Sequence, residues 1–243
     1  MNRRRFLAGA GVALSVGIAG RRAARPTDPV VVRVWFSEAA AAHDSLADRV
    51  EGYLGSALEA PLGAVEFDFV PSPVALPAEG GKRVLSMHWP SRVVEGAVGM
   101  GGVDPVDGVN LLVTDGDPRK QPAGYARPHV AAVTGAGYIA RMAPATETPT
   151  VVPYSVRAAA TQLLLHECGH ALGLGHEHGS ARRRDDAIVA SPMVGSYVWA
   201  PDHVRENQLA DESACGESFP RDSAAPNRRL ALRFTDCAEQ ALR

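Results

Sequence analysis

The hydrophobic residues of this chain fall into two spacings, one strand-like and one helical. Val30 to Phe36, V-V-V-R-V-W-F, combines β-branched and aromatic side chains and predicts the first strand. Leu46, Val50, Tyr53, Leu54, Ala57 and Leu58 recur at helical spacing behind a capping Asp44 or Ser45, so a helix is expected to about Leu58, ended by Pro61 and Gly63. Val65 to Val70 alternates with period two and reads as a half-buried strand, and the Pro- and Gly-rich stretch 71–81 reads as loop. Between Val84 and Asp107 four glycines break every pattern. Val109 to Thr114, V-N-L-L-V-T, is apolar without alternation, as expected of a central strand covered on both faces. Val130 to Thr134 predicts a short strand near a sheet edge. Ser155 is a good cap for a helix over Val156 to Leu172, which Gly173 and Gly175 stop. This order of elements predicts an α/β domain with a mixed sheet.

Composition narrows the class. With 243 residues, 46% hydrophobic and 21% charged, the chain can bury one substantial core, which excludes disorder as its main state. The net charge of −2 is unevenly spread, because residues 1–25 hold six Arg and no acid, leaving 19 basic against 27 acidic residues in a body at −8. Such a body lacks the basic field that nucleic-acid binding requires.

Residues 1–25 begin with Arg3, Arg4 and Arg5, followed by a weakly apolar run from Phe6 to Ala19 and then Arg21 and Arg22. Arg3-Arg4-Arg5-Phe6-Leu7 resembles the R-R-x-F-L core of a twin-arginine signal, with Asn2 where Ser or Thr is usual. The run is short for a membrane span, which needs about 20 residues. The resemblance implies an exported protein, secreted or held at the cell surface, with membrane contact only if the signal is retained. Of the three cysteines, Cys215 and Cys237 lie 22 residues apart, and the spacing leaves open whether they form a disulfide.

The chemistry concentrates in His166-Glu167-Cys168-Gly169-His170-Ala171-Leu172-Gly173-Leu174-Gly175-His176. On a helix, His166 and His170 stand one turn apart on the same face and can aim two imidazoles at one ion. Gly173 can take the left-handed conformation that closes a helix, so the chain can return His176 to the same point. Three neutral imidazoles leave a zinc ion one open position, the arrangement of a catalytic site. Glu167 stands on the adjacent face, within reach of a bound water rather than of the metal itself. Chance supplies H-E-x-x-H in roughly one or two such chains per hundred, and the added glycine and third histidine lower that to about one in twenty thousand. Coincidence is therefore a poor account of the segment.

The segment resembles the zinc-binding motif of the metzincin clan of metalloendopeptidases, H-E-x-x-H-x-x-G-x-x-H, with every defining position filled. The resemblance implies Zn2+ held by His166, His170 and His176, Glu167 as general base and acid, and protein or peptide substrates. It also implies a twisted, mostly parallel sheet backed by helices, with the active-site helix along the cleft floor, and a methionine turn beneath the metal. Ser191-Pro192-Met193-Val194-Gly195 is the candidate turn. Glu177 after the third histidine is similar to astacins, whereas Gly195 stands where an astacin carries Tyr, and Tyr197 lies two residues further on, so a tyrosine ligand is not implied. The subfamily stays open. His178 reads as a surface or supporting histidine, the run Arg182 to Asp186 as a solvated loop, and Val130 to Thr134 or Tyr138 to Ala140 as the edge that pairs with substrate.

The expected organisation is thus an export signal over 1–25 and a catalytic domain over 26–243, divided near 173 into a sheet-bearing half from about 30 and a smaller half carrying the methionine turn. Two other readings accompany it: a zinc-binding or adhesion protein without turnover, and a zinc hydrolase of a non-peptide amide.

Overall fold

A computed structural model describes residues 29–209, 213–214 and 227–243. The export-signal segment, 1–25, lies outside them.

The first sheet is built from β1 (Val30–Phe36), β2 (Val65–Phe69), β3 (Val109–Thr114), β4 (Gly124–Arg127) and β5 (Val130–Thr134) in the order β2-β1-β3-β5-β4. The first four strands in that order run parallel, and β4 returns antiparallel to β5. The fold is therefore mixed α/β. Strand β3 is buried along its whole length, which explains its unbroken apolar run. One face of the sheet carries Val32, Val34, Leu111, Val113 and Val133 against helix α1 (Leu46–Leu62) and helix α3 (Val156–Ala171). The opposite face carries Trp35, Leu112 and Ala132 against Leu85, Trp89 and Val93, which belong to a helical turn at 84–88 and to helix α2 (Trp89–Ala97). The glycine-broken stretch before Asp107 thus hides a helix, in which Pro90 directly follows the wider helical turn at 84–88.

Buried Asn110 on β3 is fully matched. Its Oδ1 accepts from Val106 N at 2.9 Å, and its Nδ2 donates to the carbonyls of Val106 and His129. Helix α1 differs in detail from the expectation. Ser45 precedes it but spends its hydroxyl on the Ala140 carbonyl at 2.9 Å rather than on a cap, and the helix continues through Pro61 to Leu62 before Gly63, at φ 81°, closes it.

A second sheet follows the order β6-β9-β8-β7, with β6 (Val151–Pro153), β7 (Ala181–Arg184), β8 (Ala187–Ala190) and β9 (Asn227–Ala231). Its signal in the sequence is faint, because its strands are three to five residues long and β6 pairs with β9 across most of the C-terminal half. The arginine run expected as loop is mostly strand β7, turning at Asp185 with φ 52°. A C-terminal helix, α4 (Asp236–Leu242), is capped by the Thr235 hydroxyl. Cys168 is free and buried and Cys237 is disulfide-bonded, while Cys215 lies outside the described residues. Among the described residues no helix is long and apolar enough to cross a membrane.

Candidate metal centre

Helix α3 begins where its cap demands: Ser155 is extended, and its hydroxyl accepts from Ala158 N at 3.1 Å. It ends in a Schellman closure, in which Gly173, at φ 100°, donates to the His170 carbonyl and Leu174 N donates to the Gly169 carbonyl. That reversal lets the chain bring His176 back towards the helix. His178 then braces the return, its Nδ1 accepting from Gly175 N at 2.9 Å. This is the supporting role expected of it.

The three histidines converge. Nε2 of His170 lies 3.1 Å from Nε2 of His166 and 3.1 Å from Nε2 of His176. Each remaining ring nitrogen faces a carbonyl: His166 Nδ1 the Pro192 oxygen at 2.8 Å, His170 Nδ1 the Leu174 oxygen at 2.7 Å, and His176 Nδ1 the Gln208 oxygen at 2.7 Å. A carbonyl only accepts, so every Nδ1 carries a proton, and in the neutral ring every Nε2 is a bare lone pair. Three lone pairs pointed at one another repel unless a cation lies among them. Bonds of about 2.05 Å to a tetrahedral ion place ligand nitrogens about 3.3 Å apart, close to the spacing seen. The donor set therefore fits a borderline metal ion such as zinc.

Burial favours the neutral rings. His166 is almost fully enclosed, and desolvation followed by its neighbour His170 lowers its pKa to about 3. Desolvation is also the main cause of the lowered values of His170 and His176.

Glu167 is 5% exposed, and burial raises its pKa to about 8 in the metal-free chain. Among the described residues no protein donor meets its carboxylate. Space for it exists because Gly124, the first residue of β4, has no side chain: a Cβ there would lie 2.4 Å from Glu167 Oε1 and 2.6 Å from its Cγ. Met193 is fully buried under α3, where a Cβ on Gly169 would come within 2.5 Å of its sulfur. The preceding residue, Pro192, supplies the carbonyl that orients His166. Tyr197 sets its ring, tilted, near both His166 and His176, with centroids 5.9 and 5.1 Å away. Its hydroxyl pKa is raised by burial first and by Glu167 second.

A cavity of about 370 Å3 opens beside Glu167 and His166, with Gly195 to Tyr197 along one wall. The sheet edge next to it is β4, not the stretches expected. Val130 to Thr134 is interior, paired on both sides by β3 and β4, and Tyr138 to Ala140 is helical. Strand β4 escaped notice because four residues beginning with glycine give no alternation to read. The backbone carbonyls that orient the histidines carry no signal in the sequence either.

No family model matches the chain. No curated protein matches it in sequence. Among solved structures it is similar to an archaemetzincin from Methanopyrus kandleri, with a TM-score of 0.42 and 17% identity over 90% of this chain and 96% of that one.

Proposed function

We propose that this chain is an exported zinc-dependent endopeptidase. The observation that carries the reading is the set of three imidazoles whose Nδ1 protons are committed to carbonyls and whose Nε2 lone pairs share one point. His166, His170 and His176 would hold the ion, three ligands that leave a place for water or substrate. When bound, zinc supplies Lewis acidity, which polarises a scissile carbonyl and brings the pKa of a water towards about 7.

The chain's own groups do the rest. Glu167, with no protein partner and an opening onto the cleft, takes a proton from the attacking water and hands it to the departing amine. The free edge of β4 offers backbone N–H and C=O groups to an extended peptide, which would be held as an additional strand beside Glu167. The unpartnered Glu167 favours turnover over simple metal storage, for which a buried carboxyl is a cost without a use. The Arg3-Arg4-Arg5-Phe6-Leu7 core supports export by the twin-arginine route, and replacing Arg3 and Arg4 by Lys should leave unexported precursor in the cell; export at an unchanged level would remove that part of the reading.

Zinc-loaded protein incubated with a broad peptide library should yield internal cleavages that stop on chelation. Folded, zinc-loaded protein that cuts no peptide but hydrolyses small amides would redirect the assignment to a non-peptide hydrolase.

A further inference from the structure

The cavity beside Glu167 is walled mainly by apolar groups, among them Leu163, Leu230, Ala159 and Pro122, with Tyr154 also lining it. Of the buried polar side chains in that lining, His166 and Glu167 belong to the metal centre and Gln162 does not. Gln162 lies one turn before His166 on α3, 2% exposed, and donates both of its amide protons to the second sheet: Nε2 to the Ala190 carbonyl at 2.9 Å and to the Ala231 carbonyl at 2.7 Å. Two acceptors on the nitrogen fix which way round the amide sits. Oε1 consequently turns the other way, towards Gly195, whose Cβ position is 3.8 Å from it and which lines the same cavity. Among the described residues Oε1 accepts from no protein donor, and it is not one of the atoms sealed from solvent.

We infer that Gln162 is a specificity-determining residue that selects, at the scissile bond, a substrate side chain ending in a neutral hydrogen-bond donor, tyrosine above all. This rests on the peptidase reading and adds the class of substrate to it. A wholly apolar side chain would fill the cavity but strip Oε1 of water without replacing the bond, and leaving a buried acceptor unmatched is costly. A lysine would bring a full charge to the neutral Gln162 acceptor, because the one carboxyl in the lining, Glu167, is engaged by the attacking water in this reading, and stripping that charge of water costs more. An aromatic side chain matches the apolar walls, and its hydroxyl supplies the missing proton. Sites that hydrogen-bond a substrate hydroxyl reject the analogue lacking it more strongly than apolar pockets reject an added group.

The test is a matched pair of peptides, identical except for Tyr or Phe at the selected position, with a second pair carrying Gln or Met. Wild-type zinc-loaded protein should show kcat/KM about tenfold higher for the donor-bearing member of each pair, and Gln162→Met should bring both ratios to about one while still cleaving the Phe and Met peptides. The wild-type ratios need no variant and stand even if Gln162→Met folds poorly. Cleavage of the peptides with ratios of one or below in the wild type, or ratios unchanged in folded Gln162→Met, overturns the inference and leaves the peptidase reading intact. Absence of cleavage across the whole library overturns both.

Discussion

Gly124→Ala is the smallest change that should disable the site without touching a metal ligand. The added Cβ would lie 2.4 Å from Glu167 Oε1, 2.6 Å from its Cγ and 2.7 Å from its Cδ, where ordinary contacts begin near 3.4 Å. Three atoms of one carboxylate arm are met at once, so the arm must shift by about 1 Å, and a misplacement of that size costs about 100-fold in rate when the group performs the proton transfer. Crowding costs about 1 to 3 kcal/mol, and the lower chain entropy of alanine in the unfolded state offsets about 0.4 to 1 kcal/mol of it. The three imidazoles and their carbonyl partners are untouched, so zinc content should hold at its wild-type value.

The assay is kcat on a fluorogenic peptide with metal content and urea unfolding measured on the same preparation. Gly102→Ala, where nothing lies within 4 Å of the new Cβ, serves as the inert control. The expected outcome is a kcat near one hundredth of wild type with one zinc retained. Full activity in zinc-loaded Gly124→Ala would mean that Glu167 does not act from the position seen here.

Three further expectations follow from the same geometry. Gly169→Ala should destabilise by about 1 kcal/mol despite alanine's better helix propensity, because its Cβ meets the Met193 sulfur at 2.5 Å and the Phe234 ring at 3.2 Å; adding Met193→Ala should cost less than the sum of the single changes, and strict additivity in urea unfolding would contradict the contact. In the metal-free protein Glu167 has a folded pKa of about 8 against 4.5 unfolded, so stability is lost as pH rises through that window and levels off above about 8. Metal-free Glu167→Gln should therefore be more stable than metal-free wild type at pH 8, with the gap closing near pH 4.5; equal urea midpoints at pH 8 would count against the buried, unpartnered carboxyl. Removing zinc held at about 100 times its Kd should cost about 2.7 kcal/mol, which for a domain of this size lowers Tm by about 5 to 11 °C, and a thermal scan insensitive to chelator would argue that the imidazoles hold no metal.

The first sheet was largely legible from the sequence because its strands are apolar runs with definite ends: Val109 to Thr114 is the central strand expected, and Val30 to Phe36 and Val130 to Thr134 pair beside it. Helix α3 was legible for the same reason, with Ser155 and Gly173 acting as its expected start and stop. The convergence of His166, His170 and His176 followed from helical spacing plus one glycine. What escaped was whatever depends on partners distant along the chain. Strand β4 exists because β5 pairs with it, not because G-Y-A-R favours a strand, and with it went the identity of the sheet edge. The second sheet joins Val151 to Ala231 over eighty positions with strands too short to show a period. The placement of Gln162 has no signal in the sequence, since neither carbonyl it meets has a counterpart in the side-chain pattern.

The central claim is that three histidines hold a catalytic ion while Glu167 moves the proton. Its most direct test is Glu167→Gln, assayed for zinc stoichiometry and for peptide hydrolysis in the same sample. The predicted result is one zinc per chain, as in the wild type, with hydrolysis reduced by at least about 100-fold, the scale of a lost general base. Retained hydrolysis with zinc bound would contradict the role of Glu167, and loss of zinc would show that this carboxylate belongs to the metal rather than to the water.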